Sequence, residues 1–174
     1  MERLLIVVDY QNDFVDGSLG FSGAEKLDSR IADKIREYQL SGSPVVYTKD
    51  THEENYLETK EGRNLPVRHC VRGTKGHELY GEAGRLLRDM RGFEKRTFGS
   101  ENLFRFLQKR PFDSIELVGL VSNICVISNA ILAQVACPEA IISVDAACTA
   151  SFDSDLNAKT LDILEGLQIV VTNR

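Results

Sequence analysis

The residue types best suited to covalent chemistry in this chain are Cys125, Asp9 and Lys95. Cys125 stands in Gly119-Leu-Val-Ser-Asn-Ile-Cys-Val126, which reads as the end of a strand running into a helix. Ser122 or Asn123 can cap that helix. Cys125 then falls in its first turn, where unpaired N–H groups and the helix dipole favour a thiolate. Backbone N–H groups of the turn can also hold a tetrahedral oxyanion. A buried, inert thiol is the common fate of a free cysteine, so position alone decides little. A cysteine that attacks an amide needs a base, and later an acid for the departing amine. His52, His69 or His77 can supply one. So can Asp9, whose carboxylate loses solvation at the end of an apolar strand and rises in pKa. Lys95 can balance both anions, although an isolated lysine between Arg91 and Arg96 would read as surface.

A second constellation lies between them. Asp50-Thr-His52 spaces two ligand types so that both point the same way on an extended strand. Glu61 and His69 follow in the same segment. One Asp, one Glu and two His suit Zn²⁺, Fe²⁺ or Mn²⁺ with positions left for water or substrate. The spacing matches no compact metal motif, and exposed loop histidines are an equally good reading of composition alone. Residues 16–23 are turn-rich but lack the features of a phosphate-binding loop.

The elements that must position these residues alternate. Short, nearly continuous apolar runs at residues 3–9, 44–49, 114–120, 140–145 and 168–172 read as strands buried on both faces. A weaker strand fits 92–97. Helical spacing covers 26–40, with Leu27, Ile31, Lys34, Ile35 and Tyr38 near one face, and also 101–109, 123–136 and 156–167. The stretch 123–136 is apolar almost all round. The order predicts an α/β fold: a three-layer, doubly wound (Rossmann-like), mostly parallel sheet of about six strands with helices on both faces. In such sheets ligands bind beyond the carboxyl ends of the strands, where Asp9, Asp50, Lys95 and Cys125 should converge. Residues 50–82 show little periodicity, as a functional loop would.

The 174 residues fit one domain, 1–174. The net charge of -5 and pI of about 5.3 argue against nucleic acid or an anionic membrane as partner. The apolar run before Asp9 is too short for a signal peptide, and no stretch reaches transmembrane length. The expected compartment is the cytoplasm, with Cys70, Cys125, Cys137 and Cys148 as free thiols. Cys137 and Cys148 read as packing, Cys70 as a neighbour of the metal site, and His77 and Lys109-Arg110 as surface.

With these residues in place, the chain resembles the isochorismatase-like cysteine hydrolases, and among them most closely the nicotinamidases. The resemblance rests on Ile6-Val-Val-Asp-Tyr-Gln-Asn-Asp-Phe14, Asp50-Thr-His-Glu-Glu-Asn55, Leu65-Pro-Val-Arg-His-Cys-Val-Arg-Gly-Thr74, Lys95 and Gly119–Val126, in that order along nearly the whole chain. It implies a catalytic triad of Asp9, Lys95 and Cys125, a cis peptide between Leu120 and Val121, and an oxyanion hole from the N–H groups of Val121 and Cys125. It implies one divalent metal, zinc foremost, on Asp50, His52, Glu61 and His69, with Phe14 and Leu120 at the substrate. The implied activity is hydrolysis of nicotinamide to nicotinate and ammonia through a Cys thioester, within NAD salvage, by a homo-oligomer. Three rival readings are a relative acting on another small amide, a carbamoyl or ureido compound or isochorismate; a silent metal-binding member of the fold; and a redox sensor in which Cys148 approaches Cys125. A complete triad argues against the silent reading.

Overall fold

The computed structural model describes residues 2–174. Six strands form one sheet: β1 (Arg3–Val8), β2 (Val45–Asp50), β3 (Arg91–Lys95), β4 (Ser114–Leu120), β5 (Ile141–Ala150) and β6 (Val170–Thr172). Their order is β3-β2-β1-β4-β5-β6, and every neighbouring pair is parallel. The chain winds outwards in both directions from β1, so the crevice at the top of the sheet opens between β1 and β4. Among the described residues, no helix is long and apolar enough to cross a membrane.

The lack of alternation in β1 has a direct cause. Leu4, Leu5, Ile6, Val7 and Val8 are all fully buried, because both faces of the strand are covered. Leu4, Ile6 and Val8 enter one core cluster and Leu5 and Val7 the other, as the period of two requires. The first cluster packs beneath α5 (Glu101–Leu107), α6 (Ile127–Ala136) and α7 (Ser154–Gly166). The second lies beneath α2 (Leu27–Leu40) and α4 (Gly81–Leu87). Two four- and five-residue helices, α1 (Asn12–Val15) and α3 (Lys60–Asn64), decorate the carboxyl end.

Most expected elements occur within a few residues of their predicted bounds, with informative differences. The fifth strand runs on to Ala150, because its pairing with β4 shifts between Leu117 and Gly119 and resumes at Thr149. The expected helix over 123–136 begins instead as a wide π turn, Ser122–Val126, before α6. Neither Ser122 nor Asn123 caps it. Val121 occupies the N-cap with no side-chain bond, and the Ser122 hydroxyl is hydrogen-bonded to Asn157 Oδ1 at 2.6 Å. The segment 50–82 is not one loop but carries α3 and the start of α4.

Gly119 is needed where it stands. Its φ is +111°, and a Cβ there would lie 2.1 Å from the Val8 carbonyl oxygen. Only glycine lets β4 pass this close to β1. The peptide between Leu120 and Val121, just beyond it, is cis.

Candidate active site and metal centre

Three strand ends and the turn after a fourth deliver the candidate residues to one place. Asp9 follows β1 with φ +44°, a left-handed conformation that Asp tolerates better than most residues. Asp50 ends β2 and Lys95 ends β3, paired in register. Cys125 sits in the π turn after β4. The Val121 carbonyl accepts the N–H groups on either side of it, Ile124 at 3.2 Å and Val126 at 3.1 Å.

Lys95 joins the set. Its Nζ lies 2.6 Å from Asp9 Oδ2, 3.4 Å from Asp50 Oδ1 and 3.5 Å from Cys125 Sγ, and donates to the Thr97 carbonyl at 3.0 Å. All four groups are at least nine-tenths buried. Thr48 Oγ1 donates to Asp9 Oδ1 at 2.7 Å. Asp9 Oδ2 carries the Lys95 ion pair, and the Cys125 thiol is hydrogen-bonded to the same carboxyl, which sets the acceptor beside the proton it would take.

Burial pushes the Asp9 carboxyl above its ordinary range even though Lys95 opposes the shift. Lys95 loses solvation too, but the charges of Asp9, Cys125 and Asp50 outweigh that and hold its ammonium charged. Cys125 differs from expectation. Burial raises its thiol well above the usual value despite Lys95 nearby. The turn was expected to favour a thiolate, and burial at this depth works against that charge.

The second constellation also assembles. Asp50 Oδ2 lies 3.1 Å from His52 Nε2 and 3.3 Å from His69 Nε2, and Glu61 Oε1 lies 3.7 and 3.9 Å from the same two nitrogens. One donor atom from each residue falls within 4.8 Å of every other. The two histidines meet because the chain pairs back on itself: His52 N donates to Cys70 O at 3.0 Å and Arg72 N to His52 O at 2.8 Å. His69 Nδ1 is fixed by the Val67 carbonyl at 2.8 Å. A carbonyl only accepts, so Nδ1 carries a hydrogen and Nε2 is the nitrogen that faces the cluster. Burial alone would lower the His69 pKa, but Asp50 and the Val67 carbonyl raise it. Burial works against ionised Asp50 as well, yet Lys95 and both imidazoles hold it far below the carboxylate range. Burial and Asp50 push Glu61 up. Two imidazole nitrogens and two carboxylates aimed at one point fit a divalent cation, and the donor set suits zinc, iron or manganese.

Gln11 steadies this corner. Its Nε2 donates to the Asp50 and His77 carbonyls at 2.9 and 3.0 Å, and its Oε1 accepts from Asp50 N at 2.8 Å. His77, expected on the surface, is instead buried, with Nε2 at 2.9 Å from Thr51 Oγ1 and Nδ1 at 3.3 Å from Lys49 Nζ. Its partners come from β2 and its neighbour and are not visible in local sequence. Lys109 and Arg110 are exposed, as expected.

A cavity of about 760 Å³ opens over the cluster, with Tyr56, Leu65, Phe98 and Ile124 as its apolar wall. Tyr56 packs on both imidazoles, its ring centroid 4.5 Å from His52 and 4.9 Å from His69. Sequence reasoning did not single it out. A tyrosine near a histidine in a loop carries no periodic signal. Phe14 is buried behind His69, centroids 5.7 Å apart, and Leu120 is fully buried, so neither side chain stands on that wall. All four cysteines are free and buried. Cys125 and Cys148 belong to separate core clusters, which removes the basis for pairing them as a redox couple.

A site built where β1, β2, β3 and β4 end on a doubly wound sheet defines a class of α/β hydrolytic scaffold, and comparison with known proteins gives the family. The isochorismatase domain model matches residues 3–173, and the chain belongs to that family. It is 31% identical over 144 residues to an uncharacterized isochorismatase family protein of Bacillus subtilis, covering 75% of this chain and 78% of the relative. It is 30% identical over 139 residues to the nicotinamidase/pyrazinamidase of Mycobacterium tuberculosis, covering 71% and 74%. The crystal structure of nicotinamidase/pyrazinamidase from Bacillus subtilis superimposes with a TM-score of 0.89 at 26% identity, over 98% of this chain and 99% of that one.

Proposed function

We propose that the chain, as a single hydrolase domain spanning 1–174, is a cysteine amidohydrolase that converts nicotinamide to nicotinate and ammonia. The observation that carries this reading is the buried Asp9–Lys95–Cys125 cluster, with Lys95 within 3.5 Å of the other two, directly beside the Asp50, His52, Glu61 and His69 donors. The relatives named nicotinamidase add to it.

In this mechanism Asp9 Oδ2 takes the Cys125 proton as Sγ attacks the carboxamide carbon. The raised thiol pKa fits proton transfer concerted with attack. The oxyanion rests on the N–H groups of Val121 and Cys125. Asp9 returns its proton to the amine as the C–N bond breaks, leaving ammonia and a Cys125 thioester. A water then attacks the thioester carbon, Asp9 accepts its proton, and the acid departs as the thiol is restored. Lys95 stays charged throughout and offsets the negative charge that moves between Asp9 and Cys125. Asp50, His52, Glu61 and His69 would hold the divalent metal, zinc in our reading, which supplies a Lewis-acidic anchor for the pyridine nitrogen. Phe14 supports His69 from behind, while Leu120 contributes backbone beside the oxyanion hole.

In this reading the protein acts on a small molecule in NAD salvage, in the cytoplasm, as a homo-oligomer. A second reading, another small amide, a carbamoyl or ureido compound or isochorismate, is favoured by the cavity, which at about 760 Å³ lies in the range of drug-sized ligands and exceeds one pyridine ring. The test is ammonia and nicotinate release from nicotinamide by metal-loaded wild-type protein and Cys125→Ala. Release that Cys125→Ala abolishes supports the reading. Full turnover by Cys125→Ala overturns the mechanism, and no release by the wild type moves the substrate to the second reading.

A further inference from the structure

We propose that Asn129 is a positioning residue that sets the distance between the Cys125 thiol and Lys95. The inference rests on the catalytic reading above.

Asn129 lies one turn after Cys125 on α6 and is fully buried. A fully buried amide costs free energy unless its polar atoms are matched. Here every one is. Nδ2 donates to the Cys125 carbonyl at 2.8 Å and to the Phe98 carbonyl at 3.1 Å, and Oδ1 accepts from Ser100 N at 3.0 Å. Two donors and one acceptor, all satisfied, fix the orientation of the amide.

These three bonds join two separate parts of the site. One part is the π turn that carries Cys125. A π turn interrupts the regular helical ladder, and Asn129 takes hold of it at the nucleophile's own carbonyl. The other is the segment that follows Lys95. Lys95 Nζ is bonded to the Thr97 carbonyl, and just beyond it the Phe98 carbonyl and the Ser100 N–H are held by Asn129. Ser100 Oγ in turn caps α5 by accepting from Leu103 N at 3.2 Å, so the segment is anchored at both ends. The Lys95–Cys125 separation of 3.5 Å is therefore spanned by one side chain on the far side of the nucleophile. Phe98, on the cavity wall, is held by the same amide.

The decisive variant is Asn129→Asp. It keeps size and shape, replaces a two-fold donor with an acceptor facing two carbonyl oxygens, and adds a negative charge behind Cys125. Misplacement by an ångström costs up to about 100-fold in rate. The expected result is a kcat on nicotinamide, per folded protein, lowered by about 10- to 100-fold. KM should change far less, because the amide touches no substrate. The rate of Cys125 alkylation by iodoacetamide at fixed pH, read by mass spectrometry, should change with kcat. That arm needs no substrate. Asn129→Ser, smaller and neutral, serves if the Asp variant does not fold, and should show a loss in the same direction. A purely structural role would lower the folded fraction while leaving kcat per folded protein and thiol reactivity at wild-type values, and that result overturns the proposal. Full activity of Cys125→Ala would instead overturn the catalytic reading. An inactive Cys125→Ala together with a wild-type kcat in Asn129→Ser would overturn this inference alone.

Discussion

The Lys95 ammonium lies 2.6 Å from the Asp9 carboxylate, with 5% and 0% of each residue exposed. Such a pair recovers its desolvation cost only while both partners are present. Asp50, 3.4 Å away on the other side, places a second carboxylate on the same cation. Lys95→Met therefore leaves two buried anions facing each other. Its expected effect is a loss of about 3–5 kcal/mol in stability, read from urea unfolding, together with loss of turnover. Wild-type unfolding in that variant would mean that the carboxylates find another partner.

Asp9→Asn keeps the shape of the site and removes the proton acceptor. General-base removal costs about 10²–10⁴ in rate, and kcat should fall by that amount. The Thr48 hydroxyl that donates to Oδ1 can still donate to an amide oxygen, but Lys95 loses its nearest counter-ion, so the rate loss should come with some loss of stability. Steady-state kinetics beside a urea curve separate the two effects. Unfolding that accounts for the whole loss would make Asp9 a structural residue.

How much of this was legible in the sequence depends on where each residue's partners lie. β1 and β4 were legible because burial on both faces writes a nearly continuous apolar run, broken in β4 by Glu116. β3 was marginal because it is an edge strand with Arg91, Gly92 and Glu94 exposed. Helix α4 was missed for a different reason. Its first N–H groups, at Glu82 and Ala83, are held at 2.9 and 3.0 Å by Asp28 on α2, a cap from a remote element that no local signature records. The site divides in the same way. Topology brings the strand-end residues Asp9, Asp50 and Lys95 together, and the residues of Gly119–Val126 mark Cys125. Asn129 and His77 gave no sign of their roles, because each looks ordinary until the segments it ties together are in place. A helix-start position favours a thiolate at Cys125 but says nothing about the depth of burial that works against it.

The metal reading is open to a direct count. His69→Ala removes one nitrogen of the cluster, and Tyr56 and Phe14 both lose the ring they pack on. Bound metal per chain, measured by elemental analysis after loading and desalting, should drop well below one equivalent. Turnover should fall mainly through KM, by roughly tenfold or more, because the metal anchors the ring and does not make the nucleophile. Chelation of the wild type should reproduce the same pattern. An unchanged KM with a collapsed kcat would move the metal into the chemical step.

Away from the active site, a second buried charge network sets a pH dependence of stability. Lys34 Nζ on α2 bridges Asp145 Oδ2 at 3.0 Å and Glu116 Oε1 at 3.1 Å, and Asn173 Nδ2 donates to Asp145 Oδ2 at 3.0 Å. Burial works against ionised Asp145, but the bonds from Lys34 and Asn173 outweigh it and hold its carboxyl below the usual range. A carboxyl depressed in the folded state adds stability above its unfolded pKa, about 3.9, and that stability disappears as pH falls through the lower folded value. Asp145→Asn should therefore be less stable than wild type at neutral pH. The gap should hold down to about pH 5 and narrow below about pH 4 as the wild type loses its advantage. Urea unfolding of both proteins across that range measures it. A gap that stays constant to the lowest pH would show that the carboxylate's charge contributes nothing to the network.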